Sequence, residues 1–116
     1  MVVLVVNETD VFRKFVGAFF EMHGYEVLEA ATSWEGYAQA MEYKPQAVLV
    51  DNFMESNYYP NYCKTLQSIP GMETAEFVIF TDYEHESVDA AGINLKVVIT
   101  KPNLIPELKK LFPALK

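Results

Sequence analysis

Short, nearly unbroken apolar runs alternate along the chain with longer segments whose apolar residues return every three or four positions. The runs are VVLVV (2–6), YEVLE (25–29), AVLV (47–50), FVIF (77–80) and KVVIT (96–100). Four of them are apolar at almost every position, which is the pattern of parallel strands covered on both faces; YEVLE alternates and so predicts an edge strand. The segments between read as helices. Phe12, Phe15, Val16, Phe19 and Met22 recur at helical spacing, with Thr9 placed to cap the start and Gly24 where a helix commonly ends in a left-handed turn. Ser33 is predicted to cap a second helix carrying Trp34, Tyr37, Ala38 and Met41, which Pro45 ends. Further helices are predicted over 61–68 and over 84–91, the latter closed by Gly92. A last one has Pro106 near its first turn, Leu108, Leu111 and Phe112 on one side, and Lys109 and Lys110 late, where they suit the macrodipole.

Five strands alternating with five helices predict an α/β fold, a doubly wound five-stranded parallel sheet with helices on both faces and right-handed crossovers. Such sheets bind ligands beyond the carboxyl ends of their strands, where the strand order reverses. The residues at those ends are Asn7 and Glu8, Asp51, Thr81 and Lys101, and all are polar. The third run is the clearest case, since AVLVDNFMES passes from a buried-looking strand straight to a carboxylate. Each residue has an ordinary explanation by itself, because Asp and Asn favour turns and lysine is usually solvated. Four strand ends carrying such groups together point to one crevice with two carboxylates, an amide, a hydroxyl and an ammonium.

Composition narrows the function. With 116 residues the chain is expected to form a single domain, 1–116. Hydrophobic residues make up 51% of it, yet no apolar stretch nears the roughly 20 residues a membrane span requires. VVLVV after Met1 has no basic flank and is too short for a signal core, so no export is expected. The lone cysteine, Cys63, forms no internal disulfide or thiolate cluster and favours a reducing cytoplasm. A net charge of −7, with nine scattered basic residues, argues against nucleic acid. The glycines form no phosphate-cradling loop. His23 and His85 lie away from the strand ends and read as structural or solvated.

The strand-end set resembles the receiver domain of two-component response regulators. The resemblance runs from VLVVNETDVFRKF through GYEVLEAATSWEGYAQAMEYKPQAVLVDNFM and FVIFTD to AAG and TKP, almost the full length. It implies a flavodoxin-like sheet of strand order 2-1-3-4-5. It makes Asp51 the phosphoacceptor, with Thr81 and Lys101 contacting the phosphoryl group. Mg²⁺ is then implied at Glu8, Asp51 and the Phe53 backbone carbonyl, with Asn7 acting through a water. A carboxylate nucleophile suits this chemistry, and phosphoryl transfer needs mainly positioning and charge neutralisation. The implied partners are a histidine kinase or phosphotransfer protein, a downstream effector protein or domain, and a second copy in a homodimer.

Several positions depart from the family pattern. Asn7 replaces an acid, so Mg²⁺ should bind weakly; Glu8 is one methylene longer than an aspartate. Asp82 follows Thr81 where a small residue is usual, and Val98 stands where the family has a switch aromatic. Tyr58, Tyr59 and Tyr62 crowd the segment after Asp51 and are read as packing rather than a docking patch. Phe53 and Tyr83, two past Asp51 and Thr81, are bulky where the family admits a hydrolytic water, which predicts slow loss of phosphate. Two readings stand: a phosphoacceptor receiver, or a pseudo-receiver that binds partners without phosphorylation. An aspartyl phosphatase is disfavoured by Phe53, which occupies the place of its second acid. With the last helix using nearly all the remainder, the chain is expected either to act alone by docking or to be part of a longer regulator or hybrid kinase.

Overall fold

The apolar runs form one parallel sheet of five strands, β1 (Val2–Val6), β2 (Glu26–Ala30), β3 (Ala47–Asp51), β4 (Glu76–Thr81) and β5 (Leu95–Thr100), in the order β2-β1-β3-β4-β5. The structure is a computed structural model and describes residues 1–51, 53–54, 57–81, 92–101 and 104–110. Its helices are α1 (Asp10–Met22), α2 (Ser33–Tyr43), α3 (Tyr59–Gln67) and α4 (Leu104–Lys110). A two-residue antiparallel pair, Phe53–Met54 with Asn57–Tyr58, links β3 to α3. The helix predicted over 84–91, the residues Asp82, Tyr83, His85 and Pro102, and the end of the last helix lie outside the described residues.

Alternation along the strands gives the sheet two cores. Val3, Val5, Ala47, Leu49, Val78, Phe80 and Ile99 pack with Val16 and Phe20 of α1 and Leu108 of α4. Their neighbours Leu4, Val6, Val48, Val50, Phe77 and Ile79 pack with Ala40 of α2 and with Tyr62, Cys63 and Leu66 of α3. Both faces of the central strands are therefore apolar, as their near-continuous runs require. YEVLE is the edge its alternation predicts. The run 96–100, read as covered on both faces, is the opposite edge, and β5 is only partly buried at most positions.

Two helices are rotated from their expected orientation. Arg13, Val16, Gly17 and Phe20 form the buried face of α1, while Phe15 and Met22 are 45% and 82% exposed. In α2 the buried residues are Ser33, Gly36 and Ala40, and Trp34 and Met41 face outward. Small residues on the inner face let α2 lie close to the sheet. A Cβ on Gly36 would stand 2.3 Å from Tyr62 Oη and 3.0 Å from Val6 Cγ2. The cap is also displaced: Thr32 Oγ1, not Ser33, accepts from the Glu35 amide at 3.1 Å, and Glu35 reaches back to accept from the Ala31 amide at 2.9 Å. Gly24, with φ of +85°, ends α1 in the left-handed region as its place predicts.

Candidate functional site

Parallel register decides which strand ends meet. Val6 pairs with Val50, so Asn7 and Asp51 follow side by side where β1 and β3 leave the sheet. Between these strands the order reverses, since the chain moves from β1 to β2 on one flank and to β3 on the other. On the far side of β3, Asp51 pairs with Phe80 and Thr81 with Thr100, which brings Thr81 and Lys101 to the same rim.

Asp51 is the centre of the cluster and is 7% exposed. A carboxylate taken out of water needs partners. Lys101 Nζ lies 2.5 Å from its Oδ2, and Asn7 Nδ2 donates to the same oxygen at 3.2 Å. Asn7, 4% exposed, is itself fixed, because its Oδ1 accepts from the Thr9 amide at 2.8 Å. The Thr9 side chain itself makes no capping bond to α1. Thr81 is 1% exposed at the end of β4, and Glu8 is exposed just past β1.

Two residues of α1 outside the strand-end set complete the setting. Arg13 is buried in α1; its Nη1 donates to the Asn7 carbonyl at 2.8 Å, its Nε to Glu29 Oε1 at 3.0 Å, and its Nη2 to Asp10. It ties the turn that carries Asn7 and Glu8 to β2. Phe12 supplies an aromatic wall: Lys101 Nζ lies 5.4 Å from its ring centroid, and the ring meets Phe80 edge-on at 5.2 Å. Neither role carries a sequence signal, since Arg13 reads as a solvated helix position and Phe12 as core.

The structure thus brings Asn7, Asp51 and Lys101 into direct contact and sets Thr81 and Glu8 on the same rim. Among the described residues no three His, Cys, Asp or Glu side chains group to hold a metal ion. Glu8 and Asp51 offer carboxylate oxygens, the donor type that a hard divalent cation such as Mg²⁺ takes.

His23, Tyr62 and Cys63 have structural surroundings. His23 stacks on Phe19 with centroids 5.0 Å apart, and its Nδ1 lies 2.9 Å from the Phe19 carbonyl. Tyr62 is buried and donates to the Ser33 carbonyl at 2.8 Å, while burial raises its phenol far above the usual value. Burial likewise pushes the Cys63 thiol up to about 12. No helix among the described residues is long and apolar enough to cross a membrane.

No protein-family model and no curated protein matches the sequence. Solved structures do match in shape. Chemotaxis protein CheY4 of Vibrio cholerae is 20% identical, with a TM-score of 0.84 over 99% of this chain and 98% of that one. A CheY-like response regulator receiver domain from Methylobacillus flagellatus is 16% identical, with a TM-score of 0.87 over 100% and 98%. A response regulator protein from Burkholderia pseudomallei, whose crystal structure holds a phosphorylated aspartic acid, a calcium ion and citrate, is 20% identical, with a TM-score of 0.80 over 99% of this chain and 66% of that one. At these identities the likeness establishes the fold, which is the flavodoxin-like fold of response regulator receiver domains.

Proposed function

We propose that the chain is a phosphoacceptor receiver of a two-component or phosphorelay system, with Asp51 as the residue that takes the phosphoryl group. The observation that carries this reading is a buried carboxylate at the end of β3, held by the Lys101 ammonium at 2.5 Å and the Asn7 amide at 3.2 Å. An ion pair buried at a strand end adds little net stability compared with an apolar pair, so its presence at the switch point is better explained by use.

The donor is a phosphohistidine of a histidine kinase or phosphotransfer protein. An Asp51 carboxylate oxygen attacks phosphorus, the P–N bond breaks, and the imidazole leaves with the electron pair and takes up a proton. The product is an acyl phosphate on Asp51. Lys101 follows the negative charge from the carboxylate to the phosphoryl oxygens, and the Thr81 hydroxyl donates to one of them. Glu8, Asp51 and the Phe53 carbonyl would hold Mg²⁺, with Asn7 contributing through a water, and the ion would supply charge neutralisation at the phosphoryl oxygens. Asn7 keeps the acceptor oriented while adding no charge, so metal affinity is low for such a site. Beyond this self-catalysed transfer and the hydrolysis that frees Asp51 with release of inorganic phosphate, no enzymatic turnover is assigned. Recruitment of Thr81 and Lys101 by the phosphoryl group shifts the population of conformers at a docking surface beside β5, which an effector protein or domain reads.

The test is incubation with a small phosphodonor with and without Mg²⁺, followed by intact mass. The expected result is a metal-dependent gain of one phosphoryl group that Asp51→Asn abolishes. A wild type that gains nothing, or a gain that survives Asp51→Asn, refutes the proposal; the former outcome leaves the chain a phosphorylation-independent binding module.

A further inference from the structure

Helix α1 is apolar on two opposite faces. Arg13, Val16, Gly17 and Phe20 are buried against the sheet. On the other side Val11 is 80%, Phe15 45% and Met22 82% exposed, and Ala18 is exposed between them. These residues follow one another at steps of four, three and four, a continuous stripe along the outward side of the helix. A solvent-facing helix side ordinarily carries charge, and exposed apolar stripes of this kind mark contact surfaces.

We propose that this stripe packs against α1 of a second copy of this chain, antiparallel about a two-fold axis between Phe15 and Ala18. Two features single out a second copy. The spacing reads the same in both directions, so reversal sets Phe15 of one protomer beside the small Ala18 of its partner and Val11 beside Met22. The charges match as well. Lys14, 61% exposed in its side chain, and the exposed Glu21 lie seven residues apart on one flank of the stripe. Antiparallel packing brings each lysine to the partner's glutamate at both ends, whereas parallel packing sets this flank against the partner's opposite one, where Phe12 and Phe19 stand and no matching charge is offered. Within one protomer Lys14 reaches Glu29 Oε1 only at 3.6 Å, and its exposure leaves it able to turn to the partner. Asp10, on the same flank, is engaged by Arg13.

The contact is an isologous one, with the same surface used on both sides. A helix of 13 residues is about 20 Å long and buries well under the roughly 800 Å² per partner of standard stable interfaces. The dimer is therefore weak, with a Kd on the order of 100 μM. It does not depend on the phosphoacceptor reading, because it uses none of Asn7, Glu8, Asp51, Thr81 or Lys101.

Sedimentation velocity from about 10 μM to about 1 mM tests the proposal. The wild type is expected to pass from monomer to dimer over this range, and Phe15→Glu to stay monomeric. Circular dichroism checks that the variant folds; because Phe15 is half-buried, Ala18→Glu, at an exposed position, serves as the second disrupting variant. Lys14→Glu should weaken association about tenfold, and Lys14→Glu with Glu21→Lys should restore it to within about twofold. A wild type that is monomeric throughout overturns the proposal, as does a dimer that survives both Phe15→Glu and Ala18→Glu. A dimer broken by those variants but not rescued by the charge exchange overturns the antiparallel arrangement.

Discussion

Replacing Asn7 by aspartate should destabilise the metal-free protein and make its stability depend on Mg²⁺. The wild-type amide donates to Asp51 Oδ2 at 3.2 Å and accepts from the Thr9 amide at 2.8 Å. Aspartate has nearly the same shape and retains the second bond, but it turns the first into a contact between two carboxylates. At that distance and an effective dielectric constant of about 20, the repulsion is about 5 kcal/mol. Lys101, about 5 Å from the new charge through the shared oxygen, returns about 3 kcal/mol on the same scale. The lost hydrogen bond costs about 1 kcal/mol more. Both side chains are nearly out of contact with water, at 4% and 7% exposure, so solvent screens little of this.

The net loss is therefore about 3 kcal/mol, which for a domain of this size lowers Tm by roughly 12 °C. A divalent ion bound among three carboxylates removes the repulsion and stabilises by mass action. Calorimetry of wild type and Asn7→Asp in chelator and in millimolar Mg²⁺ measures the effect. The expected pattern is a large deficit in chelator that Mg²⁺ substantially recovers, with a much smaller Mg²⁺ effect on the wild type. A variant that melts with the wild type in chelator refutes the proposed contact. A variant that gains no more from Mg²⁺ than the wild type refutes the proposed ion seat.

Truncating Arg13 to Met removes three bonds from the turn that carries Asn7 and leaves the Asn7 carbonyl and Glu29 without this donor, so denaturant unfolding should show a loss of about 2–4 kcal/mol. Gly36→Ala drives a Cβ to 2.3 Å from Tyr62 Oη and should cost about 1–3 kcal/mol. Combined with Tyr62→Phe, which removes that oxygen, the loss should be less than the sum of the two single variants in the same unfolding assay. Cys63 is fully buried and its thiol is raised from 9.0 to about 12, so a thiol reagent should label the folded protein at pH 8 only at the rate of unfolding. The folded state holds this proton longer than the unfolded chain does. Its contribution to stability is therefore intact below pH 9 and is lost as pH rises toward 12, a fall that Cys63→Ala should reduce in alkaline melts.

The parts of the molecule legible in the sequence are those where one physical demand dominates. Val48, Leu49 and Val50 lie between neighbouring strands with helices on either side of the sheet, so their run had few other solutions, and the polar residue ending it had to sit at the rim. The helices were less legible because apolar residues mark a stripe without saying which way it faces. In α1 both sides carry phenylalanine or methionine, and the true inner face contains Arg13 and Gly17, residues that hydropathy assigns to the outside. Arg13 is tolerated there because three acceptors meet its guanidinium, and those acceptors come from β1's end, from α1 and from β2. Such a satisfied buried cation depends on tertiary placement that no local window holds. The same is true of Asn7. Read locally it is a turn residue, and it does form that turn by accepting from Thr9; only beside β3 does its other end become the donor that holds Asp51. A single side chain thus sets the loop and the acceptor together, which is why exchanging its amide for a carboxylate separates the two roles: the turn persists, and the contact with Asp51 changes sign.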